Sequence, residues 1–316
     1  STYLQITSDE VILNVLPLAF DYGLYQMIMA YRVGARLVLE RSFTFPAQVL
    51  NVVVAEGVTG FPGVPTIYAI LAEMKTLTSY DFSKIRYVTN TAAALPVKHI
   101  LMLKELFPRA RIYSMYGLTE CKRCTYLPPE DLDNKPTSVG IAIPNTELWL
   151  VDEDGNKVGP NTVGQLVIRG ATVMKGYWDK PEATAKKLKP GPLPGEQVLY
   201  TGDFCRLDDD GYLYFVGRMD DIIKSRGEKV APKEVESALM NIEGVKEAAV
   251  IGVDDDILGQ AVKAFVVCEA GRSFTDKEIQ RECQARLENF MVPKFVEFVA
   301  DLPKTTTGKI KKTDLK

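Results

Sequence analysis

Arg111-Ile112-Tyr113-Ser114-Met115-Tyr116-Gly117-Leu118-Thr119-Glu120 is the stretch that decides how this chain is read. Arg111–Ser114 is strand-like, and a glycine, a hydroxyl and a carboxylate follow it in quick succession. A glycine at a strand end lets backbone approach a ligand closely. An aromatic can stack on a base, a hydroxyl can donate to a phosphate oxygen, and a carboxylate can hold Mg²⁺. Taken alone, the same five residues read equally well as a glycine turn capped by threonine.

Upstream, short buried strands alternate with helices. Val11–Leu16, Arg36–Leu39 and Ile85–Thr89 read as strands. Tyr22–Arg32, Pro65–Glu73 and Val97–Leu106 read as helices, the last two with proline near their starts. This alternation predicts an α/β layer with parallel strands over residues 1–138. Downstream, Glu147–Val151, the turn Asp152–Gly155, Gly164–Arg169 and Gly211–Val216 read as strands and hairpins. Residues 139–219 therefore form a β-rich subdomain, with Lys186–Gln197 as a surface loop.

A third unit, residues 220–316, has the size of an autonomous α+β domain. It reads as strand Asp221–Lys224, helix Pro232–Met240, strands Val245–Val253 and Gln260–Glu269, helix Thr275–Leu287 and strand Lys294–Phe298. Thr275 and Glu278 have capping-box spacing.

The bulk properties agree with a multidomain globular protein. The chain has 316 residues, 46% hydrophobic and 25% charged, and a net charge of -3. No field of one sign points to nucleic acid. No apolar run approaches the roughly 20 residues that cross a bilayer. The five cysteines are odd in number and scattered, which favours reduced thiols and a cytoplasmic location over a disulfide framework. Cys121 and Cys124 form a C-x-x-C pair without a second ligand pair, and the one histidine, His99, lies well upstream. The opening residues run abruptly into a strand, so a fragment with a missing N-terminal half is expected.

Three further segments carry candidate chemistry. Thr201-Gly202-Asp203 precedes Asp210-Gly211-Tyr212 and Gly217-Arg218. A carboxylate at a strand end suits a pair of sugar hydroxyls, and Arg218 suits the same sugar or a phosphate; a hairpin with a surface ion pair accounts for them equally. Asp220 sits where two units join, the place for a hinge, or begins an ordinary strand–turn–helix. Pro303-Lys304-Thr305-Thr306-Thr307-Gly308-Lys309 is a polar turn ending in a lysine that can act as a point charge, or a merely solvated basic tail.

In this order, the four segments resemble the late motifs of the adenylate-forming superfamily, which includes acyl- and aryl-CoA synthetases, amino-acid adenylation domains and luciferase-like enzymes. The resemblance runs from about Leu13 to Lys316. It implies an adenylate-forming fold, N-terminally incomplete: an α/β layered subdomain, a β-rich subdomain and a small mobile C-terminal domain. It implies that Tyr116 and Gly117 adjoin adenine, with Ala92 and Ala93 of the Asn90–Leu95 stretch. Thr119 would contact the α-phosphate and Glu120 would hold Mg²⁺. Asp203 and Arg218 would bind the ribose, Asp220 would be the hinge, and Gly227 would lie beside the CoA channel. Lys309 would bridge the carboxylate and the α-phosphate.

The implied reaction uses ATP and Mg²⁺ to make acyl-AMP and then a thioester with CoA, as in fatty acid metabolism. A separate acyl or peptidyl carrier protein is the alternative acceptor, and a non-catalytic nucleotide-binding half of a split enzyme is the alternative class. The family's Ser/Thr/Gly-rich loop, which wraps the β- and γ-phosphates, has no match here, so poor adenylation by this chain alone is expected. Phe20, Asp21 and Gly23 match the wall of the acyl pocket. Phe20-Asp21 is similar to the amino-acid-activating pattern, in which the aspartate pairs with an ammonium. Asp21 as a helix cap reads as well. The remaining motifs favour an organic acid and CoA.

Overall fold

The computed structural model describes residues 2–91, 95–305 and 310–315. Two compact units emerge: Ser1–Thr201 with Arg206–Phe215, and Gly202–Cys205 with Val216–Lys316.

Five parallel strands lead the first unit: β1 (Val11–Asn14), β2 (Arg36–Leu39), β3 (Gly60–Gly63), β4 (Tyr87–Asn90) and β5 (Arg111–Tyr116). Helices α1 (Asp21–Val33), α2 (Pro46–Glu56), α3 (Pro65–Glu73) and α4 (Val97–Leu106) connect them. Antiparallel β6 (Thr125–Tyr126) and β7 (Ile141–Ala142) complete a seven-stranded sheet of order β2-β1-β3-β4-β5-β6-β7. Ile12, Leu50, Phe61, Tyr68, Val88, Leu103 and Phe107 belong to one buried core, which explains the continuous apolar runs of these strands.

Besides the two-residue strands β6 and β7, two larger elements here are absent from the sequence expectation. α2 starts on Pro46 and ends on Gly57 with φ +62, the usual proline-in, glycine-out arrangement. β3 reads Gly-Phe-Pro-Gly and is wholly buried. Its glycines are there for packing: a Cβ on Gly60 would lie 2.3 Å from the Tyr87 ring, and one on Gly63 would lie 2.7 Å from the Tyr68 ring.

The second sheet is β-rich, as expected. β8 (Thr146–Val151) pairs antiparallel with β9 (Val163–Gly170), and the sheet order is β10-β11-β9-β8. The expected loop Lys186–Gln197 is more ordered than its composition suggests. α5 (Pro181–Lys187) leads into β10 (Leu188–Pro190), which pairs with the start of β11 (Gln197–Leu207) because Leu188 is buried. Pro190 is tolerated on this edge, where its missing N–H is not needed. β12 (Leu213–Arg218) pairs with β11.

In the second unit, β13 (Ile223–Ser225) and β14 (Glu228–Val230) form a hairpin. Its two-residue turn, Arg226 (φ +56) and Gly227 (φ +81), has the positive φ angles of a type I′ connection. α6 (Pro232–Met240), β15 (Val245–Asp255), β16 (Gly259–Cys268), α7 (Asp276–Gln284) and β17 (Phe295–Phe298) follow. The predicted cap is present: Thr275 accepts from the Glu278 N–H at 3.3 Å, and Glu278 accepts from the Thr275 N–H at 2.7 Å. β15 alternates between two cores. Ala248 and Val250 join Val235 and Ile279 in one, whereas Ala249 and Ile251 join Leu302 in the other, beside Ile310 and Leu315.

Candidate nucleotide and acyl site

Tyr116 ends β5, and the chain turns back at once. The Lys122 N–H donates to the Leu118 carbonyl at 2.6 Å, and the Cys124 N–H donates to the Tyr116 carbonyl at 3.0 Å. Gly117 is the residue that permits this turn, because a Cβ there would lie 1.7 Å from the Lys122 carbonyl oxygen. The loop leaves Thr119 exposed and Glu120 half-buried. The Tyr177 hydroxyl donates to Glu120 Oε1, and the Glu120 carbonyl accepts from the Met174 N–H at 2.7 Å. The Tyr116 ring lies 6.0 Å from that of Phe215.

Phe20, Asp21 and Gly23 stand at the start of α1. Asp21 is its first helical residue rather than its cap; Phe20 takes the cap position and makes no side-chain capping bond. Gly23 has no room for a side chain, since a Cβ would lie 2.4 Å from the Pro17 carbonyl oxygen. Its carbonyl accepts from Asn14 Nδ2 at 3.1 Å, which ties α1 to the end of β1. Tyr22 from α1 and Tyr68 from α3 both donate to the Thr89 carbonyl, each at 2.8 Å. Two helices are thereby fixed to the end of β4, beside Asn90. Burial pushes the Tyr22 phenol up to about 12 and holds the Tyr68 phenol well above the usual range, so both remain donors.

Lys122 and Arg123, which the sequence reading passed over, bring this loop against α1. Lys122 adopts φ +61, and its ammonium lies over the Tyr25 ring. Burial first, and neighbouring Arg123 second, pull the ammonium down to about 7, with Asp21 opposing. Arg123 is 5% exposed and lies 5.2 Å from the Tyr22 ring. The signal in the sequence is a doubled cation inside an otherwise apolar run directly after Thr119-Glu120.

A stability prediction follows from Lys122. Its folded pKa lies well below that of an ordinary lysine, so the charged form is the disfavoured one. The destabilisation is complete below about pH 7 and fades as pH rises towards 10.5. Lys122→Met should therefore stabilise the first unit by about 1–2 kcal/mol at pH 6, discounted for partial solvent screening. The gain should shrink towards pH 10. Denaturant melts at several pH values check this; a pH-independent difference is the contrary result.

In the second unit, Asp203 is 7% exposed, and Arg218 Nε lies 3.7 Å from its Oδ1. Asp203 adds to burial in pushing the Cys205 thiol up. Asp220 is exposed in a single helical turn, Met219–Asp221. Gly227 lies at the open tip of the β13–β14 hairpin, with nothing within 4 Å of an added Cβ. Ala92, Ala93 and Lys309 lie outside the described residues. The legs flanking Lys309 are held firmly. Lys304 pairs across to Ile310, the Lys311 N–H donates to the Pro303 carbonyl at 2.7 Å, and Lys304 Nζ reaches Glu247 at 2.9 Å. Lys312 Nζ reaches the buried Glu236 at 2.7 Å. Cys121 and Cys124 are buried free thiols, and His99 is buried on α4.

Comparison with known proteins agrees with this geometry. The AMP-binding enzyme family matches residues 1–178, and the AMP-binding enzyme C-terminal domain matches residues 234–309. The chain belongs to the AMP-binding enzyme family, and its fold is that of adenylate-forming enzymes. It is 36% identical over 307 residues to a long-chain-fatty-acid–CoA ligase of Bacillus subtilis (strain 168), covering 95% of this chain and 53% of that one. It is 34% identical over 319 residues to 4-coumarate–CoA ligase 1 of Solanum tuberosum, covering 99% and 57%. ATP-bound MatB from Rhodopseudomonas palustris superimposes with a TM-score of 0.91 at 30% identity, covering 99% of this chain and 61% of that one. The o-succinylbenzoate CoA synthetase of Bacillus subtilis, in complex with its acyl-adenylate, gives 0.87 at 28%, covering 100% and 62%. The chain thus spans about half the length of the curated relatives it matches. Among the described residues, no helix is long and apolar enough to cross a membrane.

Proposed function

We propose that this chain carries the adenylate-handling machinery of an AMP-forming acid:thiol ligase, which makes an acyl-CoA from a carboxylic acid, ATP and CoA. The observation that carries the reading is the Tyr116–Glu120 loop, closed by Gly117 and presenting Thr119 and Glu120. Tyr116 stacks on adenine, and the Thr119 hydroxyl donates to the α-phosphate. Asp203 accepts from both ribose hydroxyls, with Arg218 beside it. Asp220 supplies the hinge, and Gly227 leaves backbone space for the pantetheine arm.

Glu120 fits a magnesium ligand. One of its oxygens accepts from Tyr177, which orients the carboxylate, and Mg²⁺ takes one or two carboxylates alongside phosphates and water. When bound, the ion would offset charge on the phosphate oxygens. Lys309 brings a positive charge to the meeting of two anions, the acid and the α-phosphate, whose repulsion grows towards the transition state. Rotation of the second unit about Asp220 would then exchange Lys309 for the thiol path. Phe20, Asp21 and Gly23 form a wall of the acyl pocket.

The test supplies acyl-AMP directly, together with CoA, and follows acyl-CoA by mass spectrometry. The expected result is thioester formation dependent on this chain. AMP binding without any thioester would favour the non-catalytic reading, and thioester formed only on a carrier protein would favour that acceptor. Asp203→Ala should weaken AMP about tenfold, the equivalent of roughly 1.4 kcal/mol. An unchanged affinity by calorimetry would remove Asp203 from the ribose site.

A further inference from the structure

We propose that Lys122, backed by Arg123, receives a second anionic group on the acid, so that this chain selects carboxylic acids bearing a further carboxylate. The inference rests on reading α1 as a wall of the acyl pocket.

The loop places Lys122 where the adenylate-handling residues meet that wall. Two residues separate it from Thr119, and its φ of +61, a conformation disfavoured for lysine, turns its side chain onto the Tyr25 face of α1. The pocket end is unbalanced in charge. Among the groups that act most strongly on the pair, Asp21 is the one carboxylate: it opposes the lowering of Lys122 and, after Tyr3 and Tyr22, helps to raise Arg123. Among the described residues, neither cation is within ion-pair distance of a carboxylate. Below about pH 7, where Lys122 is charged, one net positive charge is left.

Arg123 keeps its own charge at every working pH. Its guanidinium does not deprotonate in proteins. It is 5% exposed, donates from Nη1 to the Tyr3 hydroxyl at 3.3 Å and touches Met29 Sδ at 4.0 Å. Its Nη2 has no hydrogen-bond partner among the described residues. A buried cation with an unmet donor is costly, and a nearby anion relieves that cost. Lys122 is the half-exposed member of the pair, so it is the one a ligand reaches.

The two cations also bear on the amino-acid reading of Asp21: a substrate ammonium there would meet Lys122 and Arg123, whereas a carboxylate would meet opposite charge.

The experiment is calorimetric titration of the chain at pH 6, where Lys122 is charged, with matched straight-chain acids, octanoate against octanedioate, and with AMP in parallel. The dicarboxylate is expected to bind about tenfold more tightly, in line with one charge-assisted hydrogen bond. Lys122→Met should bring the two acids to parity, and Asp21→Asn should widen the gap by removing the competing anion. AMP affinity, measured in parallel on the unaltered chain, reports whether the nucleotide site is present. Equal binding of the two acids, or a preference that survives Lys122→Met, overturns the proposal while leaving the adenylate reading intact. Failure to bind either acid or AMP overturns both.

Discussion

Gly117→Ala is expected to abolish AMP binding and to destabilise the first unit by about 3 kcal/mol or more. The added methyl would lie 1.7 Å from the Lys122 carbonyl oxygen, 2.7 Å from its carbon and 2.8 Å from Arg123 Cα. All three are backbone atoms, so no side-chain rotation relieves the clash. The loop has to open, and the 2.6 Å bond from the Lys122 N–H to the Leu118 carbonyl has to break. Thr119 and Glu120 then lose their fixed position relative to Tyr116. Gly155→Ala is the control. Its φ is positive, +86, but its surroundings are open. It should cost about 1–2 kcal/mol from backbone strain alone and leave AMP binding unchanged. An AMP affinity in Gly117→Ala equal to wild type would refute the role given to this loop.

Lys309→Ala is expected to separate the two half-reactions. In protein that shows both, acid-dependent ATP–pyrophosphate exchange should fall by about 100-fold or more, while thioester formation from supplied acyl-AMP should change little. The reason is electrostatic. Two anions must approach during adenylation, and a positive charge in a water-poor site offsets their repulsion. No such encounter occurs when a thiol attacks an acyl-AMP. The flanking ion pairs, Lys304 with Glu247 and Lys312 with Glu236, keep the legs of this segment in place when the lysine is removed, so a fold defect is not expected. An equal loss in both half-reactions would contradict the proposed exchange of roles by domain rotation.

Wherever local physics is sufficient, the elements were legible from sequence. Pro65–Glu73, Val97–Leu106 and Pro232–Met240 match their observed bounds, because proline starts and apolar spacing act within one or two turns. The Thr275 capping box is likewise a three-residue matter. Residues 46–63 show the opposite case. Asn51-Val52-Val53-Val54 has β-branched character yet lies in α2, and Gly60-Phe61-Pro62-Gly63 has turn composition yet is a buried strand. Packing against Tyr68 and Tyr87 decides β3, and the Tyr87 ring is distant in sequence.

The sequence by itself determined the family, the alternation of strands and helices, and the order of the candidate motifs. These depend on residue type and short spacing, which a chain carries before it folds. Only the tertiary structure decided that Tyr22 and Tyr68 share one carbonyl on β4, that Arg218 reaches Asp203, and that Lys122 and Arg123 lie against α1. Such meetings join residues tens of positions apart. Their energies depend on burial and on which charges face one another, and both exist only once the sheets and helices have packed.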